Sequence, residues 1–411
     1  MRGVLRATGA ASARLLRPVA RLLRPLVRRL RRLTGPGWAT LVLGAAGAGL
    51  GWTLGWVEVA VVGVAALGAV LAAVALSAGR STYAVDLDLA DHRVTVGQRA
   101  VGRLEVRNTS RRRLLPARIE LPVGRSAADF HLPSLGPGAV FEDVFAVPTT
   151  RRAVVVVGPV RSVRGDPLGL VRRRVQWTDA TDLYVHPVLV PLAGAAAGVL
   201  RDLEGQATRV VSNSDLSFHA LRDYVPGDDR RHIHWRTTAR IGELMVRQFE
   251  DTRRTHTVVA LSTCSADYAD GDEFELAVSA AASIGVQALR DQRDLTVLAG
   301  DGPLRTGSPA RLLDDVAGLE LRPDGRPLAE LAAWIARVAP DASVAILVTG
   351  SRADRPTMRA SVSRVPMGVR TLVLGCRAGV PVEVVTRGSL SIAQVGSLPE
   401  LPRVLRRVVH Q

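Results

Sequence analysis

From Trp38 to Ala78 the chain carries a single charge, Glu58, in 41 residues. One helix of that length would run about 60 Å, twice the roughly 30 Å hydrocarbon core of a bilayer. The run therefore predicts two membrane spans, reversing near "GWVE" at residues 55–58. Trp38, Trp52 and Trp56 fall near the expected ends, where aromatic side chains favour the membrane–water boundary. Gly47, Gly51 and Gly55 are four apart and share one helix face, which suits close packing against a second helix. Upstream, Leu15, Val19, Leu22, Leu26 and Leu30 recur every three or four positions with Arg between them. That is an amphipathic pattern, which Pro18 and Pro25 should kink.

Downstream the periodicity changes twice. Residues 83–190 hold short alternating runs such as "YAVDLDLA", "RAVGRLEVRN" and "VFEDVFAVP", separated by turn signals such as "NTS" and "LGPG". Several strands without a convincing helix predict a β-sandwich. Beyond a connector at 191–256, apolar strands ("HTVVALS", "LTVLAG", "SVAILVTG", "VRTLVLGC") alternate with helices ("EFELAVSAAASIGVQALRDQ", "PLAELAAWIARVA", "LPELPRVLRRVV"). Residues 257–411 therefore read as a doubly wound α/β domain. The predicted organisation is a basic segment (1–37), a two-helix transmembrane hairpin (38–78), a β-sandwich (83–190), the connector (191–256) and the α/β domain (257–411).

Charge sharpens this picture. The 411 residues carry a formal +16, of which +10 lies in residues 1–80. The remainder has an ordinary balance for a soluble module, so nucleic acid is not an expected partner. The Arg-rich N-terminus is expected to lie on anionic lipid instead, each Arg near the surface contributing about 1 kcal/mol. Ten Arg precede the first span and none lies in the turn, so both ends should face the cytoplasm. The expected location is the cell membrane, with cytoplasmic soluble domains. The chain has no Lys, which removes P-loop, pyridoxal and Schiff-base chemistry. Its two cysteines, Cys264 and Cys376, support neither a disulfide framework nor a Cys-based zinc site and read as buried thiols.

The densest chemistry lies in "RDYVPGDDRRHIHWR" (222–236). His219, Asp228, Asp229, His232, His234 and His256 are candidate metal ligands, and in an extended segment His232 and His234 would point the same way. No G-x-S-x-G elbow is present, and no Ser lies within the motif. The alternative is structural. Pro226 and Gly227 are turn residues, and Asp228 or Asp229 can cap the next helical turn. Arg222, Arg230, Arg231, Arg236 and Arg240 can pair with Asp223, Asp228 and Asp229. Tyr224 and Trp235 would anchor the segment by burial. The segment is then either a clamp within the fold or a docking face, with an Arg-lined phosphate site as a further alternative.

"FHALRDYVPGDDRRHIHWRTTARIGELMVRQFE" (218–250) resembles the signature of the DUF58 family. Leu221, Arg222, Tyr224, Gly227, Asp228, Asp229, Arg231, Ile233, Trp235, Ala239 and Arg240 stand at its positions, and "RGDPLGLVRRR" and "VVVVGPV" resemble the run before it. The resemblance implies a membrane-anchored protein with a von Willebrand factor A-like C-terminal domain. It also implies a MoxR-type AAA+ ATPase as partner and an adaptor role without catalysis. In such domains a D-x-S-x-S run after the first strand often holds a divalent cation. Here those positions read Ser262, Cys264 and Ala266, and Thr349-Gly350 replaces the later acid. Hard cations need carboxylate oxygens, so no working metal site and no cofactor are expected. The expected function is a non-enzymatic scaffold acting with that ATPase in envelope or protein-complex assembly. A metal-dependent or hydrolytic enzyme centred on 219–256 is the alternative.

Overall fold

The computed structural model describes residues 33–77, 83–166, 168–192, 211–212, 218–250 and 256–409. The predicted amphipathic segment, apart from residues 33–37, lies outside them. The chain is multi-domain, with mixed sheets, and divides into two compact units. One comprises residues up to 94 together with 98–148 and 155–183, and the other 95–97, 149–154 and 184 onward.

In the first unit, helices Gly35–Leu54 and Val57–Ser77 reverse at Gly55, whose φ of 74° closes the first helix. The Cβ that Gly51 lacks would overlap the backbone of Ala60, and that of Gly63 would overlap Ala48, so small residues set this close approach. The second helix, over Val57–Ala75, is long and apolar enough to cross a membrane by length and composition.

Strands Tyr83–Leu89, Ala100–Asn108 and Val140–Val147 form an antiparallel three-stranded sheet. A second sheet runs in the order Arg93–Thr95, Thr181–His186, Ala153–Val157, Ala117–Val123, Arg161–Gly165, Arg172–Gln176, with Ser126–Leu132 pairing Ala117–Val123. Along Ala100–Asn108 buried and outward residues alternate, as the pleat requires. Phe130 and Phe145, from different sheets, meet edge to face at 6.2 Å, a favoured aromatic geometry.

The second unit holds a seven-stranded sheet in the order Gly302–Pro303, Asp294–Ala299, His256–Leu261, Val344–Thr349, Arg370–Cys376, Leu390–Val395, Glu383–Arg387. The five inner strands are parallel and the two edges antiparallel. Alternate residues feed opposite faces. Val259, Ile346 and Leu372 pack beneath helices Gly271–Arg290, Pro309–Ala317 and Leu401–Val409. Val258, Leu347 and Val373 pack against Leu328–Val338 and Arg355–Val362. A sheet covered on both faces needs continuous apolar strands, and Val344–Thr349 is buried at all six positions. Each such Val, Leu or Ile contributes about 1.5–3 kcal/mol on burial. Helices Pro309–Ala317 and Arg355–Val362 and strands Glu383–Arg387 and Leu390–Val395 add to those the periodicity marked.

Candidate functional site

The signature segment folds as a small module of its own. Strand Phe218–Asp223 pairs antiparallel with Met245–Glu250, and Val211–Ser212 pairs along the other side of the latter. Between these strands the chain makes a turn, a 3₁₀ turn at Arg230–His232 and a short helix, Trp235–Ile241. The backbone N–H of Tyr224 donates to Leu244 O at 2.8 Å, and that of His234 to Met245 O at 2.8 Å. These bonds close the module at its open end.

The turn chemistry works as its residue types predict. Gly227 sits at φ 114°, a conformation that side-chain-bearing residues rarely adopt. The Asp229 carboxylate accepts the Arg231 N–H at 2.9 Å and caps the 3₁₀ turn. Arg222 donates through Nη1 and Nη2 to the two oxygens of Asp228, both at 2.7 Å. Asp228 also accepts the Val225 N–H at 2.9 Å. The Arg222 bonds, then the Val225 N–H, hold the Asp228 carboxyl down at about 2. Arg230, Arg231, Arg236 and Arg240 are exposed.

Two expectations fail here. Trp235 is not a buried anchor, because 64% of it is exposed. His234, not Trp235, ends the extended chain. It caps the helix by accepting the Thr237 N–H, so Trp235 takes the first helical position and projects outward. Among the described side chains of the module, Ile233 and Val246 are buried and their backbones bridge to each other, while Tyr224 is half-buried. Nor do His232 and His234 share an extended segment. His232 closes the 3₁₀ turn, and the His234 Nδ1 is engaged by Thr237. The side chain of His219 lies outside the described residues. His256 lies on the parallel sheet, its ring nitrogens 3.2 Å from Asp341 Oδ1 and 2.9 Å from Thr296 Oγ1.

Past strand His256–Leu261 the structure supplies a carboxylate that the motif spacing did not reveal. Ser262 Oγ donates to Asp267 Oδ2 at 2.5 Å, and the Leu328 N–H reaches the same oxygen at 3.1 Å. Cys264 N–H donates to Ser262 Oγ at 3.3 Å, and the Tyr268 hydroxyl to Ser262 O at 2.7 Å. Thr349 is fully buried at the end of the neighbouring strand. The acidic run 267–273 is likewise engaged in holding backbone. Asp270 caps helix Gly271–Arg290, and Glu273 accepts from the Ala269 and Ser351 amides. Among the described residues no group of three or more His, Cys, Asp or Glu is placed to hold a metal ion.

Residues 220–321, 102 of the 411, match the model of a family described as "Protein of unknown function DUF58". "Uncharacterized protein YeaD" of Bacillus subtilis (strain 168) is 28% identical over 131 residues. That alignment covers 30% of this chain and 30% of the relative, so the chain spans under a third of its length. Among solved structures, the CARDB domain of a Pyrococcus furiosus protein matches 26% of this chain and 93% of its own, at 15% identity and TM-score 0.20. The C-terminal domain of wzt matches 27% of this chain and 78% of its own, at 10% identity and TM-score 0.21. Likenesses this low carry no argument about fold or ligand.

Proposed function

We propose that this chain is a membrane-anchored adaptor without catalytic activity, and that its signature module presents a docking face to a protein partner. The observation that supports this is the exposed Trp235 on a module fastened by its own hydrogen bonds. Val225, Ile241 and Leu244 are also exposed large apolar residues of the same short stretch. Isolated exposed apolar residues are ordinary, but a Trp amid arginines is the composition of binding hot spots. The segment's charges fit the same role. Arg222 and Asp228 satisfy each other and stiffen the turn, while Arg230, Arg231, Arg236 and Arg240 are left on the surface.

The partner proposed from the family resemblance is a MoxR-type AAA+ ATPase, and the task is assembly of an envelope or protein complex. The parallel sheet, with its short antiparallel edge beside Asp294–Ala299, supports a von Willebrand A-like reading of the second unit. The paired helices Gly35–Leu54 and Val57–Ser77, with a flanking Arg excess on one side only, support two spans and cytoplasmic soluble units. Reporter fusions at residue 57 should then read outside, and those near residues 20 and 100 inside. An outside signal at residue 100 ends that topology.

The docking reading is tested with full-length protein in detergent, the purified ATPase and the variants Trp235→Ala and Arg230→Ala. Melting close to the parent is expected, with affinity reduced about thirtyfold for Trp235→Ala, the scale of a 2 kcal/mol hot spot. Parental melting with parental affinity would remove the module from the interface.

A further inference from the structure

Beside the start of the first helix lies a polar cavity of about 760 Å³, lined by Leu33, Thr34, Arg172, Arg173, Arg174 and Gln176 among others. We infer that this cavity binds the phosphate group of an anionic phospholipid whose acyl chains lie along the helix pair. The inference rests on the membrane reading above but concerns residues other than those of the docking module.

Three consecutive arginines on a strand are unusual unless something balances them. Among the described residues Arg172–Gln176 is the last strand of its sheet and pairs along its length with Arg161–Gly165, after a single bridge from Val171 to Leu33. Its other edge and its side chains are open to the cavity. Arg172 and Arg174 are exposed and Arg173 half-buried. For the two outer arginines the described residues supply little counter-charge. Arg174 Nε is 3.8 Å from Glu120 Oε2, an ion pair too long for a hydrogen bond. By contrast, Arg118 in the same sheet is held by Asp129 through two bonds of 3.0 and 2.5 Å. Guanidinium forks placed like those of Arg172 and Arg174 suit the oxygens of a phosphate.

The depth of the triplet is fixed. The Asp166 carboxylate accepts the Leu168 N–H at 3.0 Å and the Val171 N–H at 2.6 Å, which ties Asp166 to the turn at residues 168–171. That loop is tied to the helix start. Thr34 N–H donates to Leu170 O at 3.0 Å, and Thr34 Oγ1 lies 2.6 Å from Gly169 O. Gly37 packs so closely on Leu170 O that a Cβ there would overlap it. Leu170 and Val171 share a small core with Val70 and Ala73 of the second helix. Arg172 comes directly after, so the triplet stands level with Thr34, at the polar end of a helix with no charged residue. Trp38, one turn further in, is part-exposed, as a side chain at headgroup depth would be.

The helix terminus itself is not the recognition element. Thr34 already accepts the Gly37 N–H, and Pro36 has none to offer. A free anion would use only the arginines. A phospholipid also uses Leu33 and the outward apolar side chains Val42 and Leu43 further along the helix.

The test uses the full chain in non-ionic detergent, with native mass spectrometry after addition of phosphatidylglycerol, phosphatidylcholine or inorganic phosphate. The wild type should retain phosphatidylglycerol at least about tenfold more tightly than phosphatidylcholine. Arg172→Gln/Arg174→Gln should lose that preference, and Arg172→Gln alone should lose part of it with parental melting. Arg17→Gln/Arg24→Gln, which removes equal charge from the N-terminal segment, should keep it. Retained preference in the double variant overturns the site, and so does inorganic phosphate that competes at the lipid's own concentration. Release of the wild type from membranes by carbonate would instead overturn the membrane reading. A chain that stays in the membrane with no dependence on Arg172 and Arg174 refutes the site alone.

Discussion

Arg152 grips Glu275 with both edges of its guanidinium: Nη2 lies 2.9 Å from Oε1 and Nε 3.1 Å from Oε2. Its remaining nitrogen donates to the carbonyls of Val316 and Ala317 at 2.7 and 2.9 Å, and its charge sits 5.7 Å from the centre of the Phe274 ring. The Arg152 side chain is 3% exposed and that of Glu275 39%. One buried cation thus ties the segment 149–154 to helices Gly271–Arg290 and Pro309–Ala317 within the second unit.

Removing a partner from a buried pair typically costs about 3–5 kcal/mol. Glu275 can rehydrate, so Arg152→Ala should fall at about 2–3 kcal/mol, read from the urea midpoint of the second unit's transition. Arg152→Lys keeps the charge but not the fork and should lie between. A midpoint unchanged in Arg152→Ala would mean the contacts do not persist in solution.

The Arg222–Asp228 pair predicts a pH dependence of the signature module. Arg222 and then the Val225 N–H lower the folded Asp228 pKa from 3.8 to about 2. A depressed carboxyl stabilises the fold above its unfolded pKa and loses that contribution as pH falls through the folded value. Trp235 fluorescence, followed in a chain whose other Trp are Phe, should be flat above pH 5 and change between about pH 4 and 2. Asp228→Asn should abolish that step; a step that persists belongs to another group.

Exposure of Trp235 and burial of Ile233 predict opposite outcomes for neighbouring substitutions. Trp235→Ala should alter stability by less than about 0.5 kcal/mol, as surface changes do. Ile233→Ala truncates a buried side chain and should loosen the module, at the low end of the roughly 2–5 kcal/mol range for such truncations. Hydrogen exchange at Met245 and Val246 separates the two, and equal protection in both variants would contradict the burial pattern.

Cys264 and Cys376 are both buried and unpaired, and burial pushes the Cys376 thiol up. A thiol reagent at pH 8 should find neither in native protein and both after denaturation. Fast labelling of one thiol in the folded state would show that its strand end opens.

Much of this organisation was legible in the chain because it arises from short-range rules. An apolar run broken at Gly55-Trp56 gives two helices, since glycine closes the first at positive φ. The apolar runs inside strands Val344–Thr349 and Arg370–Cys376 announce a sheet covered on both faces. Gly227 and Asp229 behave as their residue types dictate, because a turn and a cap involve only neighbours. What the tertiary structure alone decided is the identity of distant partners. Arg152 meets Glu275 across 123 residues and Thr34 meets Leu170 across 136. Asp267 reaches back to Ser262, where the spacing suggested that a carboxylate was missing. Trp235 shows the limit most directly. Its hydrophobicity argued for burial, but a histidine cap set the helix phase that points it outward. Periodicity encodes which face of an element is apolar; only packing decides what, if anything, covers it.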